Sequence, residues 1–450
     1  MANRGSVIVV FGITGDLSKR KLLPALYHLL SHDELPIDTK IIGISRKPLT
    51  VDELLSTVEL CVLEADKICD PVGLARVRAS LQTHQLDPET AEDFDQLKIL
   101  LDQLDEGGTR ERLFYMSVPA AAYAPIVQNL ALSGLNDDQG RILLEKPFGY
   151  DSNSASELLT LVDQNFREEQ IYRIDHYLTK ETAQNLLAFR LHNPIFTPIW
   201  NASNIRRVHI LASETLGIEG RVDFYEQTGA LRDLIQSHLM QLLCITLMDL
   251  PADMSSEAIH LSKQHFMEQL RPADPAEATR GQYATYRTEV DNPHSSVETY
   301  AKIHLTHAAE RWHGTDIVLE TGKALASKTT EITVEFKTPH EPRRNNLTFR
   351  IQPNEGIGLD LVVKKPGFEN HMQHAVLDFT YAETFTHQQT VDAYERVLTD
   401  AIRGDQSLFA SDREVMASWR VLDPVLEAWA SNDSGLHFYE QGTGGPAETS

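Results

Sequence analysis

The sequence predicts an α/β plus α+β protein. A doubly wound domain at 1–178 precedes a second domain at 179–450, which has a large, mainly antiparallel sheet and helices. Three observations predict this fold. Near-continuous apolar runs alternate with helical patterns before residue 178, alternating apolar and polar runs follow it, and a glycine turn ends the first apolar run. By ordinary domain sizes, 450 residues are enough for about two or three domains.

In the first domain, the short apolar runs predict the strands of a parallel sheet that is covered on both faces. Predicted strands lie at 6–11, 40–45, 112–118, 141–145 and 171–174. The patterns between them predict helices at 19–30, 51–68, 121–132 and 154–164. This alternation is the βαβ pattern of a doubly wound sheet.

In the second domain, most strand-like runs alternate, which is typical of an antiparallel sheet with one wetter face. They lie at 205–211, 299–306, 315–321, 331–337, 347–352, 359–364 and 376–381. Predicted helices lie at 178–191, 228–250, 390–403 and 411–430. The change of pattern falls at the charged stretch 173–181, and ligand pockets favour such domain junctions.

Composition and charge exclude several classes of function. A net charge of −24 and a pI near 5.1 argue against non-specific binding to nucleic acid or to an anionic membrane surface. No run reaches the ~18 apolar residues of a membrane span. The three cysteines, Cys61, Cys69 and Cys244, show neither a disulfide framework nor metal spacing. We therefore expect a reducing, cytoplasmic compartment and no metal.

The stretch VIVVFGITGDL (7–17) predicts a strand, a tight turn and the start of a helix. Gly12 and Gly15 would let the backbone approach a pyrophosphate, and the amide groups of the new helix would supply donors. This is the turn of a Rossmann-like dinucleotide-binding domain. The spacing is only G-x-x-G, however, and any glycine turn after a buried strand fits it as well.

The next predicted strand, KIIGISRKP (40–48), ends in a basic pair. Rossmann-type domains that bind NAD place an acid there, on the ribose 2′-hydroxyl, whereas Arg46 and Lys47 suit a 2′-phosphate and hence NADP. Thr14 could add a hydroxyl to the same phosphate. The alternative is a solvated basic pair in a loop.

The stretch RILLEKPFG (141–149) places Lys146 at the end of a strand, because Pro147 cannot continue a central strand. In doubly wound sheets the carboxyl ends of the strands border the ligand crevice. The alternative is a surface lysine before a turn.

The stretch RIDHYLTKE (173–181) gathers charge where a strand leads into a helix. His176, Tyr177 and Lys180 would surround a helix N-terminus, a combination that favours a phosphate group. Asp175 needs a partner there. The alternative is that Asp175 caps the helix and the other side chains form a solvated face.

The stretch LIQSHLMQLL (234–243) places His238 on the apolar stripe of a helix. His238 is either a core histidine or a general base whose tautomer a carboxylate such as Asp175 holds. An Asp–His pair facing a nicotinamide would take a hydroxyl proton while hydride leaves carbon. Spacing does not choose between these interpretations.

Together these stretches resemble the glucose-6-phosphate dehydrogenase family over nearly the whole chain. The family's glycine turn, its E-K-P-F-G and its R-I-D-H-Y-L-G-K-E match 12–17, 145–149 and 173–181, with Thr179 in place of the family's glycine. The resemblance continues through NPIFTPIWN, ETLGIEGR, LIQSHLMQLL, GKAL, IQPNE, DAYERVLTD and YEQGTGGPA. It is strongest to the form from lactic-acid-type bacteria.

The resemblance implies oxidation of D-glucose 6-phosphate at C1 to 6-phospho-D-glucono-1,5-lactone, with hydride transfer to NADP, as the first oxidative step of the pentose phosphate pathway. His238 would be the general base and Asp175 its orienting carboxylate. The residues that would hold substrate are His176, Tyr177, Lys180, Glu214, Asp233, Lys323, Lys328, Lys146 and Lys21. The residues that would hold NADP are Gly12, Thr14, Gly15, Asp16, Leu17, Arg46, Lys47 and Lys146.

Departures from the family pattern qualify these expectations. Thr179 removes a flexible position from the phosphate loop, and the segment near 81–110 is trimmed. Some members hold a second, structural NADP with basic residues. Here Glu320 and Thr329 stand at two of those positions and only Arg350 is retained, so we expect no such site. NAD is possible beside NADP, because some lactic-acid-type forms accept both.

Two other functions stay open at this point. One is another NAD(P)-dependent sugar dehydrogenase of the Rossmann-plus-sheet type, and the other is a catalytically silent NADP-binding protein. The expected partners are glucose 6-phosphate and a second copy of the chain, as a homodimer or a dimer of dimers. Neither nucleic acid nor membrane is expected.

Overall fold

The computed structural model describes residues 5–36, 38–64, 70–105, 110–338, 345–386, 391–431 and 435–447. The chain forms two compact units. The first unit comprises Met1–Gly149, Asn153–Thr179 and Val391–Asp412, and the second comprises Tyr150–Ser152, Lys180–Thr390 and Arg413–Ser450. The predicted domain boundary between residues 178 and 179 stays a prediction.

The first unit is built on a parallel sheet with the strand order β3-β2-β1-β4-β5-β6, the order of a doubly wound dinucleotide-binding fold. The strands are β1 Ser6–Phe11, β2 Lys40–Ser45, β3 Leu81–Gln85, β4 Glu111–Met116, β5 Gly140–Leu144 and β6 Ile171–Ile174. All of β1 is buried, because helices cover both faces of the sheet. The strand order reverses between β1 and β4, where this fold class binds its ligands.

Helices connect these strands. They are α1 Leu23–Ser31, α2 Val51–Glu64, α3 Pro71–Ser80, α4 Ala91–Leu104, α5 Tyr123–Leu132 and α6 Ser152–Asp163, and a π-helical turn at Ser18–Leu22 precedes α1. Residues 65–68 of the predicted helix 51–68 lie outside the described residues. The sequence analysis did not predict α3, β3 or α4. Strand β3 reads LQTHQ and lies at the edge of the sheet, so it lacks the apolar run that marked the other strands.

The second unit contains a larger sheet with the order β14-β13-β12-β11-β7-β10-β9-β8-β16. Its strands are β7 Ile205–Ser213, β8 Thr279–Tyr283, β9 Tyr300–Leu305, β10 Asp316–Gly322, β11 Thr329–Phe336, β12 Asn346–Gln352, β13 Gly356–Lys364, β14 Met372–Thr380 and β16 Leu436–Tyr439. Among the described strands of this sheet, β7–β10 and β8–β16 pair in parallel and the other neighbours pair antiparallel. The sheet is therefore mainly antiparallel, as predicted.

Helices of the second unit include α7 Glu181–His192, α8 Val222–Ala230, α9 Met240–Leu247, α10 Ser256–Glu268, α11 Tyr286–Glu289 and α12 Tyr381–Thr384. The predicted helix 228–250 is less regular than its pattern indicated. It bends at Gly229, runs as a π-helix over Leu231–Leu239 and then continues as α9. Helix α10 and strands β8 and β16 were not predicted.

The last helices divide between the two units. Helix α13 Ala393–Arg403 and the short strand β15 Phe409–Ala410 belong to the first unit, and most of helix α14 Asp412–Ser431 belongs to the second. Strand β15 pairs antiparallel with β6. Helix α13 buries Val397, Leu398 and Ala401 in the same core cluster as α1. The first unit is therefore completed by chain that follows most of the second.

No helix in the described ranges combines the length and the apolar character needed to cross a membrane. Cys244 is buried and makes no disulfide bond. The side chains of Cys61 and Cys69 lie outside the described part of the chain.

Candidate functional site

The glycine turn lies at the point where the strand order of the first sheet reverses. Gly12 has a φ of +77°, and a Cβ there would lie 2.2 Å from the carbonyl oxygen of Ser117, just after β4. The Gly15 amide donates to the Gly12 carbonyl at 2.9 Å, and the Ser18 hydroxyl lies within hydrogen-bond distance of the same carbonyl and of the Ser117 hydroxyl. Only glycine fits the first position, because any side chain there would meet the backbone that follows β4.

The other predicted cofactor residues lie around this turn. Thr14, Asp16 and Lys21 are exposed, whereas Leu17 is half-buried. Asp16 pairs with Arg20 at 2.8 Å, and both side chains are largely solvent-exposed, so this ion pair contributes little to stability.

Arg46 and Lys47 directly follow β2, and both are exposed. The Arg46 carbonyl accepts a hydrogen bond from Gln85 Nε2 at 3.1 Å, which ties the backbone of this loop to β3. The two basic side chains therefore stand where NAD-binding members of this fold class carry an acid.

Lys146 follows β5 and is half-buried, next to the buried Glu145. Glu145 Oε1 accepts a hydrogen bond from the Tyr115 hydroxyl at 2.5 Å, and Glu145 Oε2 lies 3.2 Å from His176 Nε2. Burial alone would raise the pKa of the Glu145 carboxyl. The hydrogen bonds from His176 and Tyr115 and the charge of Lys146 outweigh burial and hold this pKa below its usual value.

Strand β6 ends at Ile174 and helix α7 begins at Glu181, so the motif residues between them form a turn. Asp175 is buried, and its carboxylate accepts a hydrogen bond from the Tyr177 amide at 2.9 Å. The helix cap is Lys180, without a capping side-chain bond, so Asp175 does not cap α7. The part of the alternative interpretation in which Asp175 caps the helix is wrong.

Thr179 is accommodated without backbone strain. Its φ is not positive, and its hydroxyl donates to the His176 carbonyl at 2.9 Å. The residue that departs from the family pattern thus adds a bond inside the turn that carries His176 and Tyr177.

Arg173 is the first residue of the charged motif, but its contacts do not favour a role in ligand binding. It is fully buried and pairs with Glu168 at 2.7 Å and with Asp163 at 3.3 Å. The charge of the motif is therefore split between an internal ion pair and the residues after β6.

In the second unit, Lys323 and Glu214 form an ion pair. Lys323 is buried at the end of β10, and its ammonium lies 5.3 Å from the centre of the Tyr225 ring. Glu214 follows β7, and its amide donates to the Gly322 carbonyl at 2.9 Å. Lys328 is exposed between β10 and β11. The structure thus brings Glu214 and Lys323 together and leaves Lys328 on the surface.

His238 and Asp233 are both buried on the π-helical segment before α9. Glu298 caps this segment, because its carboxylate accepts the Leu231 amide at 3.0 Å. Gly229 is required beside it, since a Cβ there would lie 2.4 Å from the Glu298 carboxylate. Burial raises the pKa of Glu298, although the hydrogen bond from Leu231 acts in the opposite direction.

Lys180 lies beside Glu355 in the second unit. Burial raises the pKa of the Glu355 carboxyl, and the charge of Lys180 opposes that change. Thr182 donates to the same carboxylate at 3.3 Å. Asp175 belongs to the first unit and His238 to the second, so their predicted pairing stays a proposal.

The three positions tied to a second NADP site are occupied as follows. Glu320 pairs with His209 at 2.9 Å and accepts from the Tyr300 hydroxyl at 2.9 Å. Arg350 pairs with Asp378 at 2.7 Å. Thr329 begins β11. The expectation that this chain lacks a structural NADP stays a prediction.

In the part of the chain that the structure describes, no group of three or more His, Cys, Asp or Glu side chains is arranged to hold a metal ion. Sequence reasoning missed four residues that support the candidate site: Tyr115, Tyr394, Tyr225 and Glu298. Tyr394 stacks on His176, with 4.5 Å between the ring centres. No local signal could have found these residues, because each acts through a contact with a distant part of the sequence.

The strand order, the glycine turn and the basic pair after β2 define a dinucleotide-binding protein of the Rossmann type with a second sheet-containing unit. The comparisons with known proteins specify the family. The model of the NAD-binding domain of glucose-6-phosphate dehydrogenase matches residues 9–185, and that of its C-terminal domain matches residues 187–450. The chain belongs to the glucose-6-phosphate dehydrogenase family and is an NAD(P)-dependent oxidoreductase, which confirms the predicted resemblance.

Curated relatives and solved structures agree with this family. The glucose-6-phosphate 1-dehydrogenase of Rhizobium meliloti is 38% identical over 98% of this chain and 94% of its own length. That of Chlamydia muridarum is 37% identical over 94% and 90%. A glucose-6-phosphate dehydrogenase solved with its substrate glucose 6-phosphate superposes with a TM-score of 0.93, at 32% identity over 99% of this chain and 96% of that one.

A levoglucosan dehydrogenase in complex with NADH and levoglucosan has a TM-score of 0.55 at 10% identity, covering 95% of this chain and 98% of that one. This likeness shows a shared fold only.

Proposed function

We propose that the protein oxidises D-glucose 6-phosphate at C1 to 6-phospho-D-glucono-1,5-lactone, with NADP as the preferred hydride acceptor. The observation that carries the proposal is the match, over nearly the whole chain, to a glucose-6-phosphate dehydrogenase that was solved with this substrate. In metabolism this reaction would be the first oxidative step of the pentose phosphate pathway.

The residues of the first unit fit a bound dinucleotide. The glycine turn packs closely against the backbone after β4 and leads directly into a helix start, whose backbone amides suit a pyrophosphate. Arg46 and Lys47 suit the 2′-phosphate of NADP, and NAD would lack that contact. The cofactor, when bound, supplies the hydride acceptor. Thr14, Gly15, Asp16, Leu17 and Lys146 complete the proposed cofactor site.

His238 would take the proton from the C1 hydroxyl, and Asp175 would hold the imidazole in the required tautomer and stabilise its cation. Burial of both side chains supports this assignment, because a low-dielectric surrounding strengthens the interaction of a carboxylate with an imidazolium. Asp233 lies on the same helical segment as His238. We assign Asp233, Glu214, Lys323 and Lys328 to binding of the sugar or its phosphate.

His176, Tyr177 and Lys180 would bind the 6-phosphate, and Lys21 and Lys146 would add positive charge near substrate and cofactor. The phosphate is remote from the reacting carbon. Binding energy from this group would therefore serve to hold C1 in place for the chemical step.

A homodimer, or a dimer of dimers, would form through the sheet of the second unit. Strand β14 exposes Met372, Val376 and Leu377, and β13 exposes Val363. Met372 and Val376 share one face of this edge strand, and exposed apolar side chains on an edge strand favour burial against another surface. We also propose a reducing, cytoplasmic compartment, on the basis of the unpaired Cys244 and the low number of cysteines. Light scattering of the purified protein would measure the oligomeric state.

The test of the function is a spectrophotometric screen of hexose 6-phosphates and free sugars, with NADP and NAD measured side by side. Formation of NADPH with glucose 6-phosphate, at a kcat/KM well above that with glucose, is the expected result. A preference for a free sugar would favour another sugar dehydrogenase of this fold. Binding of NADP without reduction by any of these sugars would indicate a catalytically silent protein.

A further inference from the structure

The buried Glu145 joins residues from three elements of the first unit. It follows β5, accepts a hydrogen bond from Tyr115 on β4 with Oε1, and contacts His176 after β6 with Oε2. Its backbone carbonyl accepts the Tyr123 hydroxyl from α5 at 2.9 Å. Each carboxylate oxygen thus has a partner, which is what keeps a buried carboxylate ionised.

The imidazole of His176 also packs against an aromatic ring. Tyr394 of α13 packs against the imidazole, with the two rings tilted by 36°. The charged or titratable groups around this cluster are Lys146, Tyr115, Tyr123 and Tyr394, with Asp392 near Tyr394. The imidazole is therefore fixed between a carboxylate and a ring.

The second ring nitrogen of His176, Nδ1, indicates what this side chain could bind. A carboxylate can only accept a hydrogen bond, so Nε2 must carry a proton. Nδ1 is buried and has no hydrogen-bond partner among the described residues. A buried ring nitrogen without a partner is costly, and an anionic oxygen beside a protonated Nδ1 would remove that cost.

We propose that Glu145 is a positioning residue that keeps His176 as a doubly protonated imidazolium, with Nδ1 as a donor to the substrate's phosphate, and that Tyr115 holds Glu145 in place. This inference rests on the proposed function, in which His176 binds the 6-phosphate. It adds a partner from β5 and one from β4 to a site that the sequence assigned to residues 175–180. The charge of Lys146 acts on the same carboxylate and favours its ionised form.

The matched variants are Glu145→Gln and Tyr115→Phe. Glu145→Gln keeps the shape and removes the charge, and we expect the KM for glucose 6-phosphate to rise roughly tenfold to hundredfold while kcat changes less than about threefold. Tyr115→Phe should raise the same KM by several-fold, about the effect of one neutral hydrogen bond. The kcat/KM for glucose, which has no phosphate, should stay within about twofold of wild type.

Two controls test for a general loss of structure. Glu111→Gln removes an acid at the start of β4 that pairs with Arg141, and Tyr172→Phe removes a hydroxyl from the same sheet. Neither variant should change the KM for glucose 6-phosphate. A loss of kcat/KM for glucose that matches the loss for glucose 6-phosphate would overturn the inference, as would tighter substrate binding by Glu145→Gln.

A double-mutant cycle separates positioning of His176 from an independent effect of Glu145. In a His176→Asn background, Glu145→Gln should raise the KM no further than about twofold, because its partner is already gone. Additive effects of the two changes would contradict the proposed role. This cycle is informative even if Glu145→Gln is less stable, provided that thermal unfolding shows a folded protein at the assay temperature.

Binding of inorganic phosphate, measured by calorimetry, distinguishes failure of the inference from failure of the proposed function. If Glu145→Gln binds phosphate as tightly as wild type does, the inference is wrong whatever the substrate. If wild type binds phosphate, Glu145→Gln loses that binding and neither oxidises glucose 6-phosphate, the positioning role stands and the proposed function is wrong.

Discussion

The two sheets place polar side chains in different ways. In the first unit, β1 is buried along its whole length, so polar groups can stand only where strands end. In the second unit, β7 alternates, and its partly exposed positions carry ion pairs such as Arg207–Asp316 at 2.6 Å. Candidate site residues of the first unit are therefore conspicuous in the sequence, whereas those of the second are hidden among many other charged residues.

The most direct test of this comparison is to introduce the same charged side chain into each sheet. Val9→Asp, in β1 between β2 and β4, should cost more than about 4 kcal/mol or prevent folding, because no partner is available for a buried carboxylate. Thr333→Asp, a half-buried position of β11 opposite His209, should change the free energy of unfolding by less than about 1 kcal/mol. Urea unfolding measures both, and equal losses would contradict the contrast.

The next largest effect concerns whether a strand-end acid and a helical histidine act as one unit. His238→Asn should lower kcat about 10²–10⁴-fold through loss of the base, and Asp175→Asn should also lower it. The kcat of the double variant should be no more than about threefold below that of the less active single variant. Substitutions of residues that act together do not have additive effects on the activation free energy. Steady-state kinetics test this. Near-normal turnover by His238→Asn would overturn the proposed mechanism.

A third test compares buried and exposed charge within the second unit. Lys263 and Glu414 form a fully buried ion pair at 2.8 Å, and His260 bonds to the same carboxylate. Burial would raise the pKa of Glu414, but Lys263 and His260 outweigh it and lower the pKa to about 2. Ionised Glu414 should thus contribute about 3 kcal/mol of stability above about pH 5, and this is lost as the pH falls through about 4 towards 2.

The measurement is the urea-unfolding midpoint of Glu414→Gln and wild type between pH 3 and pH 7, in steps of about one unit. The gap between the two proteins should be widest at neutral pH and narrow on acidification. Asp316→Asn is the matched control on the open face, where solvent screens the pairs of Asp316 with His304 and Arg207 and the effect should be under about 1 kcal/mol. A difference in unfolding midpoint that widens at low pH would show that the predicted direction of the pH dependence is wrong.

The smallest expected effect is at the end of β2. Arg46→Ala should raise the KM for NADP about tenfold and leave that for NAD nearly unchanged, because only NADP carries a 2′-phosphate. Arg76→Ala, which removes an exposed arginine paired with Asp33, is the control and should change neither KM. An equal rise for both coenzymes would remove Arg46 from the 2′-phosphate site.

The sequence allowed prediction of what depends on local pattern. Strands 6–11, 40–45 and 171–174 have the predicted bounds, and the glycine turn, Arg46 and Lys146 lie at strand ends as expected. Edge strand β3 was missed because it has no apolar run. The π-helical segment that carries His238 was predicted as an ordinary helix, because its start involves a bend at Gly229 and a cap from Glu298, 67 residues from Leu231, that the apolar spacing does not report.

The contacts between predicted residues could not be read from spacing. Tyr115 meets Glu145 because β4 and β5 pair side by side, and Tyr394 reaches His176 from a helix more than two hundred residues later in the chain. Arg173 lies in the most informative motif, yet its guanidinium forms internal ion pairs with Glu168 and Asp163. Residue type and position gave candidates, and only the fold separates ligand-facing groups from internal ones.

The late return of the chain to the first unit has a consequence for biosynthesis. Strand β15 and helix α13 are made after most of the second unit, so the ribosome must synthesise the chain as far as Ala410 before the dinucleotide fold gains its final strand. Until then the nascent α1 surface lacks Val397, Leu398 and Ala401. A premature stop near residue 390 would therefore leave both units synthesised in large part, with a gap in the core of the earlier one.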